Sequence, residues 1–430
     1  MASGDTIVAL SSGRPPAAVA IIRTSGPQAF AACEAIAGML PTSRRPSLRS
    51  LRAPRGGEVI DRALVLRFDG PGSATGENIV EYQCHGGRAV LDALLGVLTS
   101  LPGMRLAEPG EFTRRAFVNG RIDLTEAEGL ADLLQAETEA QRKAALFAAE
   151  GGISRQVGQW SSTVIGLSAK AEAAIDYVGD EDETSVDLSR LQAEARQLAS
   201  EIAQWLAKPR VERLKEGVRV VAAGPPNSGK SSLINALCQS DRAIVADIAG
   251  TTRDVIEIPV NHRGLPFLLI DTAGMRETGD VVERIGVEKA EAETKRADIL
   301  LWLGEPQERP KTSLSLQLHS RADAQGREDV PEGALPVSVV TGVGLTELWA
   351  RIHALALNLL PGEDRIAFNG RQAECLKLCW QELTSASVGV DIVLIAHHLS
   401  QARGELDRLT GRAGVEAMLD ALFGRFCLGK

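Results

Sequence analysis

Residues 218–231 read Val-Arg-Val-Val-Ala-Ala-Gly-Pro-Pro-Asn-Ser-Gly-Lys-Ser, an apolar run that leads into a glycine-rich turn. The turn has the spacing Gly-x4-Gly-Lys-Ser, and apolar residues follow it at helical spacing (Leu233, Ile234 and Leu237). A strand, this turn and a helix together aim backbone amides and a helix N-terminus at one point, which is the context that binds phosphate. Lys230 would then reach the β- and γ-phosphate oxygens, and Ser231 would coordinate Mg²⁺.

Two later segments carry residue types that complete such a site. Residues 271–274 read Asp-Thr-Ala-Gly directly after the apolar run 267–270. Asp271 can hold Mg²⁺ through water, and the Gly274 amide can contact the γ-phosphate. Between the two motifs, residues 250–254 read Gly-Thr-Thr-Arg-Asp, and Thr252 is the candidate to complete the metal shell. The three segments, in this order, resemble the G domain of translation-factor-type GTPases over residues 217–360.

Guanine recognition in that class rests on an Asn-Lys-x-Asp segment and a later Ser-Ala turn. The matching segments here read Ser-Arg-Ala-Asp at 320–323 and Ser-Val-Val at 338–340. Asp323 can still accept two hydrogen bonds from the guanine edge, and the stem of Arg321 can still cover the base. Ser320 is shorter than asparagine. We therefore expect guanine rather than adenine, and base affinity and selectivity are the features of the site that these segments support least.

Hydrolysis needs groups that the motifs do not supply. Met275 stands where Ras-like enzymes carry the glutamine that orients the attacking water, and a thioether cannot replace it. Another group must orient the water, and another positive charge must stand in for an arginine finger.

The rest of the chain divides by its periodicity. Up to residue 118, short apolar runs broken by Gly and Pro predict a small α+β domain. Thr125 with Glu128 three residues later predicts a helix start. Apolar residues then alternate at spacings of three and four over 157–171 and 188–205, and again over 392–409. We expect one helical domain made of residues 119–214 and 361–430, interrupted by an inserted G domain at 215–360; two separate helical domains are the alternative.

Composition limits the remaining possibilities. The chain has 430 residues, 44% hydrophobic and 24% charged, with a net charge of −9, which indicates a folded multi-domain protein. An acidic total can conceal a local basic face, so composition leaves the partner open, although the sequence shows no strong basic stripe for tRNA. Six widely spaced cysteines form no CxxC pair, which is typical of reduced thiols, and Cys375 and Cys379 fit a helix core. No stretch approaches the length of a membrane span. We expect a cytoplasmic protein that does not associate with a membrane.

Short segments along the whole chain resemble the MnmE (TrmE) family of tRNA-modification GTPases. They are Asp-Thr-Ile-Val-Ala at 5–9, Cys-His-Gly-Gly at 84–87, Pro-Gly-Glu-Phe-Thr at 109–113, Ala-Phe-Val-Asn-Gly-Arg at 116–121 and Phe-Cys-Leu-Gly-Lys at 426–430. The resemblance implies a multi-domain α/β and α fold: an N-terminal α+β folate-binding and dimerisation domain (1–118), a discontinuous helical domain and an inserted Ras-like P-loop G domain.

For the G domain, the resemblance implies GTP hydrolysis activated by G-domain dimerisation and by K⁺, which replaces the arginine finger. Matching positions for K⁺ are Asn227, Ala246, Ile248 and Thr251; those for Mg²⁺ are Ser231 and Thr252; and Glu283 matches the acid that orients water. Together with the motifs, it implies GTP contacts at Asn227, Ser228, Gly229, Lys230, Ser231, Ser232, Ala246, Asp247, Ile248, Ala249, Gly250, Thr251, Thr252, Asp271, Thr272, Ala273, Gly274, Asp323 and Ser338.

For the remainder, the resemblance implies a homodimer that binds 5-formyl-tetrahydrofolate or a related one-carbon folate. The matching folate positions are Arg23, Glu81, Arg121 and the terminal Lys430, and family members often have lysine where Arg121 stands. Cys427 matches a cysteine near the end of the chain, on a tail expected to be flexible, and is a candidate nucleophile. With an FAD-dependent partner, such proteins add an aminomethyl or carboxymethylaminomethyl group at C5 of the tRNA wobble uridine.

Two other functions fit parts of the sequence. A GTP-switched ribosome-assembly factor shares the G-domain motifs, but it normally appends a compact RNA-binding domain, and no KH-like Gly-x-x-Gly loop follows this G domain. A folate-dependent one-carbon enzyme with a regulatory G domain would also bind folate, and it differs from a tRNA-modification protein in whether tRNA is modified.

Overall fold

A computed structural model describes residues 4–54, 56–176, 187–208, 212–240, 256–271, 291–311, 314–360, 368–413, 422–424, 426 and 429. The chain forms two compact units. One consists of Met1–Ala131 with Asp407–Lys430, and the other of Asp132–Leu406. Among the described helices, none has both the length and the apolar character needed to cross a lipid bilayer.

The first unit is built on a mixed sheet of short strands. In chain order the strands are β1 (Thr6–Leu10), β2 (Ala17–Ser25), β3 (Ser47–Arg52), β4 (Val59–Phe68), β5 (Ile79–Gly86) and β6 (Met104–Leu106). Their order in the sheet is β3-β4-β5-β2-β1-β6, and neighbours are antiparallel except β1 and β6. Helices α1 (Ala29–Ala37) and α2 (Arg88–Thr99) share a buried core with the sheet, which includes Val8, Ile22, Val65, Tyr82 and Leu94.

Two further helices follow the sheet, α3 (Glu111–Val118) and α4 (Leu124–Gln135). The predicted start of α4 was placed two residues too late. The Asp123 carboxylate accepts the Glu126 amide at 3.0 Å, and the Glu126 carboxylate accepts the Asp123 amide at 2.7 Å. This reciprocal cap requires an acceptor followed by Glu three residues later, and Asp123 with Glu126 fits that spacing as well as Thr125 with Glu128 does.

The described residues of the C-terminal tail are fixed by burial and by a hydrogen bond. Phe423 and Phe426 are buried with Leu124 and Ala127. The Ser11 hydroxyl donates to the carbonyl of Gly429 at 2.8 Å. Gly429 has φ +93°, and a side chain there would clash with the carbonyl of Leu10, so only glycine fits. The expectation of a flexible tail was therefore wrong at these positions.

Helices of the second unit precede, accompany and follow an α/β segment. In chain order they are α5 (Glu139–Ala149), α6 (Gly152–Asp176), α7 (Leu188–Leu206), α8 (Glu212–Glu216), α9 (Lys230–Ser240), α10 (Leu345–Leu359), α11 (Gly370–Val388) and α12 (Ile392–Thr410). Residues 291–296 are also helical, and Pro306–Glu308 form one 3-10 turn.

The predicted apolar stripes form the helical core. Every stripe residue of α6 is buried: Val157, Trp160, Val164, Leu167 and Ala171. Helix α7 packs against α11, where Gln192 Nε2 donates to the Gly389 carbonyl at 2.6 Å. The rings of Trp160, Trp205 and Phe368 pack together at centroid distances of 6.0–6.3 Å. Helices from both sides of the α/β segment thus share one core, which confirms a discontinuous helical domain with an inserted α/β domain. The exact domain boundaries stay a prediction.

The inserted domain has a largely parallel sheet. Its strands are β7 (Val218–Ala223), β8 (Ile256–His262), β9 (Leu265–Asp271), β10 (Ile299–Trp302), β11 (Ser315–Ser320) and β12 (Leu335–Val337), in the order β12-β11-β10-β7-β9-β8. Only β8 is antiparallel to its neighbour among these strands. The carboxyl ends of β7, β9 and β11 therefore meet at one sheet edge, where ligands bind in such folds.

Candidate functional site

The glycine-rich turn connects β7 to α9. Gly224 has φ +146°, and a Cβ there would lie 3.1 Å from the backbone of Leu303 and Gly304. Gly229 has φ +97° directly before α9 begins at Lys230. Both positions need glycine, one for close approach and one for a left-handed turn. The turn thus ends at a helix N-terminus, where phosphate is favoured.

Lys230 extends over the turn. Its Nζ donates to the carbonyls of Gly224 at 3.0 Å and Pro225 at 2.8 Å, and the residue is 6% exposed. Ser231 follows it in the first turn of the helix and is half-buried. A phosphate oxygen is a stronger partner for an ammonium group than a peptide carbonyl, because the hydrogen bond is charged on both sides. The lysine is therefore already at the position where a phosphate would bind it.

Asp271 is the last residue of β9 and is buried. It lies beside Ala222 in the β7–β9 pairing, two residues before Gly224. A carboxylate and the glycine-rich turn thus end adjacent strands, which suits a metal ion held through water beside the phosphates.

A cleft of about 290 Å³ adjoins the turn. Its polar lining comes from the turn and from the segment after β11: Ser228, Gly229, Ser232, Ser320, Arg321 and Asp323. Its apolar walls include Leu233, Leu303, Leu318, Val337, Val339 and Val340. The Ser228 hydroxyl is buried and has no hydrogen-bond partner among the described residues. A buried polar group without a partner is costly, so the cleft fits a ligand that supplies one.

The segment 320–323 is joined to the glycine-rich turn. Arg321, at φ +57°, donates from Nη2 to the Asn227 carbonyl at 2.7 Å. The amide of Ala322 donates to the Val337 carbonyl at 3.2 Å, which places the segment beside the turn that begins at Ser338. Ser338 is fully buried and its hydroxyl accepts the Thr341 amide at 3.1 Å. Asp323 lines the cleft and is exposed.

Sequence reasoning overlooked the apolar walls of this cleft. In the sequence, Leu303 and Leu318 lie only at or after apolar runs, and Val339 and Val340 replace part of the expected Ser-Ala turn. The strand order places β10, β11 and β12 on the same side of the glycine-rich turn, and this brings the four residues together.

Two of the four predicted folate positions lie opposite each other on neighbouring strands. Arg23 of β2 faces Glu81 of β5, and both Nε and Nη2 of the arginine donate to Glu81 Oε1, at 2.9 and 2.7 Å. Glu81 Oε2 and Arg23 Nη1 form no hydrogen bond with a described residue. Arg121 lies in the turn after α3, where its stem adjoins Gly76, and no described hydrogen bond joins it to the pair.

A charged network that the motifs did not predict surrounds the start of β1. Arg115 is 7% exposed and contacts Asp5 at 2.9 Å, Glu111 at 3.0 Å and Glu77 at 3.1 Å. Burial alone would raise the pKa of Glu111, but hydrogen bonds from Arg105, from the Glu108 amide and from Arg115 outweigh burial and lower it. Asp5 and Glu111 belong to two of the segments that resemble the MnmE family. Acidic residues in these segments, with Arg105 and Arg115 close to one of them in the sequence, were the only sign of this network that the sequence offered.

The remaining predicted site residues lie outside the described residues. They are Ala246, Asp247, Ile248, Ala249, Gly250, Thr251, Thr252, Thr272, Ala273, Gly274, Glu283, Cys427 and Lys430.

The fold and the cleft define a P-loop nucleotide-binding protein whose nucleotide-binding domain is inserted into a helical domain. The model of the MnmE helical domain matches residues 124–427, and that of the GTP-binding protein TrmE N-terminus matches residues 6–121. The chain belongs to the MnmE family.

Relatives align over the full chain. The tRNA modification GTPase MnmE of Erythrobacter litoralis is 51% identical over 99% of this chain and 100% of its own. The MnmE of Rhizorhabdus wittichii is 50% identical over 100% of this chain and 97% of its own. The G domain of the T. maritima FeoB iron transporter aligns with 32% of this chain and 98% of its own at 24% identity, with a TM-score of 0.24.

Proposed function

We propose that this chain is the GTP-hydrolysing component of a complex that modifies C5 of the tRNA wobble uridine, adding an aminomethyl or carboxymethylaminomethyl group. The observation that carries the proposal is the cleft between the glycine-rich turn and Asp323, which contains the unpartnered Ser228 hydroxyl. Lys230 belongs to the same turn and donates to its carbonyls. Family membership over the full chain supports the tRNA part, because the relatives are named as tRNA modification GTPases.

Guanine selectivity is assigned to Asp323. Its carboxylate would accept the N1–H and 2-amino hydrogens of guanine, whereas adenine offers an acceptor at N1. The Arg321 contact to the Asn227 carbonyl supports this assignment, since it ties the base segment to the phosphate-binding turn without the usual asparagine. The guanidinium plane would cover the base while its stem packs on the apolar walls.

Metal ions would act at the phosphate end. Ser231 and Thr252 are proposed to hold Mg²⁺, with Asp271 acting through water. Asn227, with Ala246, Ile248 and Thr251, is proposed to hold K⁺, which when bound supplies the positive charge of an arginine finger. Asn227 is exposed at φ +58°, and its amide offers the kind of oxygen ligand that such a cation prefers. Glu283 is proposed to orient the attacking water once two G domains meet.

The N-terminal domain would bind a one-carbon folate such as 5-formyl-tetrahydrofolate. The unused Glu81 Oε2 can accept from the donor edge of the pterin, and the unused Arg23 Nη1 can donate to a carboxylate. Arg121 and Lys430 would complete the site in a homodimer, and Cys427 is kept as a candidate nucleophile. We further propose domain boundaries at 118, 214 and 360, an FAD-dependent partner and a cytoplasmic location without a membrane.

The test is steady-state GTP hydrolysis in KCl and in NaCl at equal ionic strength, with ATP as competitor. We expect strong stimulation by K⁺ that is lost in Asn227→Ala and in Glu283→Ala, while the matched Asn358→Ala, on the exposed side of α10, behaves like wild type. Equal rates in both salts would contradict the potassium mechanism, and efficient competition by ATP would contradict the guanine assignment.

A further inference from the structure

The β3–β4 hairpin carries arginines that the acidic total of the chain conceals. Residues 44–67 contain seven arginines and two acidic residues, Glu58 and Asp61, whereas the chain as a whole has a net charge of −9. Six of the arginines are described: Arg44, Arg45, Arg49, Arg52, Arg62 and Arg67. In the sequence they are separated by up to nine residues, but the antiparallel pairing of β3 with β4 brings them onto one hairpin.

Three acidic residues lie in or beside the hairpin; Asp61 and Asp69 have partners, and Glu58 is exposed. Asp69 pairs with Arg67 at 2.5 Å. The Asp61 carboxylate accepts both the backbone amide and the ring Nδ1 of His85, each at 2.8 Å. Arg44, Arg45, Arg52 and Arg62 are exposed, and none of them forms an ion pair with a described residue. The Arg44 guanidinium donates to the Gly72 carbonyl and lies 5.9 Å from the centre of the Phe68 ring, and the Arg52 guanidinium donates to the Gly57 carbonyl. These four guanidinium groups keep their charge available.

The four arginines follow the length of the hairpin. The Arg44 amide donates to the Arg67 carbonyl at 2.8 Å, which fixes the loop residues Arg44 and Arg45 at one end of β4. Further along the hairpin, Arg62 lies directly opposite Ser50, and Arg52 is the last residue of β3. Arg52 follows Arg45 by seven positions, most of them in the extended strand β3, so the charges span roughly 20–25 Å. The charges thus form a line rather than a point.

We propose that Arg44, Arg45, Arg52 and Arg62, here named the arginine hairpin, bind the sugar-phosphate backbone of tRNA. This inference rests on the proposed function, which brings tRNA to the protein. Arginine presents a planar fork that matches a phosphate group, and a line of such groups suits a polyanion with regularly spaced charges. Leu48 and Leu64, opposite each other and 65% and 42% exposed, add apolar surface beside Arg62 for contact with a sugar or an unstacked base.

Protection of a sheet edge does not explain the arrangement. β3 is an edge strand, and charged side chains on edges prevent pairing with other chains. However, Arg62 lies on β4, which is paired on both sides, and Arg44 and Arg45 precede the strand. Edge protection requires charge at none of these three positions.

The test is tRNA binding to the full-length protein, measured by fluorescence anisotropy over a series of salt concentrations. The variant Arg45→Gln/Arg52→Gln/Arg62→Gln should bind about 10- to 50-fold more weakly at about 0.15 M salt, and the slope of log Kd against log salt should fall by about 2 to 3. The control Arg155→Gln/Arg309→Gln/Arg351→Gln removes the same charge, from −9 to −12, at other exposed positions and should bind like wild type. Because the arginine hairpin lies outside the nucleotide site, GTP hydrolysis should be unchanged in both variants.

Four outcomes would overturn the inference. Wild-type affinity in the hairpin variant would show that tRNA binds elsewhere, and equal losses in both variants would show that only net charge matters. A hairpin variant that loses binding to anionic lipid vesicles but keeps tRNA binding would assign the surface to a membrane. Restored binding in Arg45→Lys/Arg52→Lys/Arg62→Lys would support a charge contact rather than a folding defect. If wild type binds no tRNA, the tRNA part of the proposed function fails as well.

Discussion

The nucleotide cleft and the Arg23–Glu81 site differ in how far their polar groups are already satisfied. In the cleft, Ser228 has no described partner and Lys230 donates to peptide carbonyls, so a phosphate ligand improves on what is there. In the N-terminal domain, Arg23 and Glu81 already pair with each other. A ligand at the first site completes the structure, whereas a ligand at the second must share or replace an ion pair. Affinity should therefore be easier to lose by single substitutions in the cleft.

The G domain and the N-terminal domain should also differ in the pH at which acid destabilises them, and here we expect the largest effect. Burial, with the nearby charges of His353 and Arg263, lowers the pKa of His262 from 6.5 to about 4. Its ring stacks on Trp349 at 4.1 Å in the G domain. Because the folded state keeps this histidine neutral, its contribution is present above pH 6.5 and is lost as the pH falls towards 4. We expect the G domain to lose about 2–3 kcal/mol over this window.

The N-terminal domain should respond at lower pH. Burial alone would raise the pKa of Asp61, but hydrogen bonds from the amide and ring of His85 outweigh it and lower the pKa below 3.8. Its contribution is present above about 4 and is lost only as the pH falls through that lowered value. Urea unfolding followed by hydrogen exchange, read separately for peptides of each domain, measures both windows. His262→Phe should reduce the loss between pH 6.5 and 4; the same loss in that variant would show that another group titrates.

A smaller effect sharpens the comparison at the paired site. Arg23→Gln should weaken binding of 5-formyl-tetrahydrofolate by about tenfold, since it removes one charged hydrogen bond to the ligand and leaves Glu81 without its partner. Arg67→Gln, which breaks a comparable pair with Asp69, is the matched control. Isothermal titration calorimetry measures the folate affinity of both variants. Unchanged affinity in Arg23→Gln would show that the Arg23–Glu81 pair does not contact the folate.

Local sequence patterns predicted most of the fold and the phosphate-binding end of the site. The strand, glycine turn and helix around Lys230 were predictable because each has its own period or backbone requirement within about twenty residues. The apolar walls of the base cleft and the arginine hairpin were not predictable, because both arise from strand order and register. Arg62 and Arg52 lie on one hairpin only because β3 and β4 pair, and no spacing within either strand encodes that contact.

Asp323→Asn tests most directly whether the cleft is a guanine site. Titration of the variant and of wild type with fluorescent GDP and XDP measures which base edge residue 323 reads. Asparagine presents a donor to the C2 carbonyl of xanthine, so we predict a loss of about 100-fold for GDP and a preference for XDP, while the exposed neighbour variant Asp329→Asn keeps the wild-type preference. Equal GDP affinity in wild type and Asp323→Asn, with no gain for XDP, would contradict the assignment of this cleft to the base.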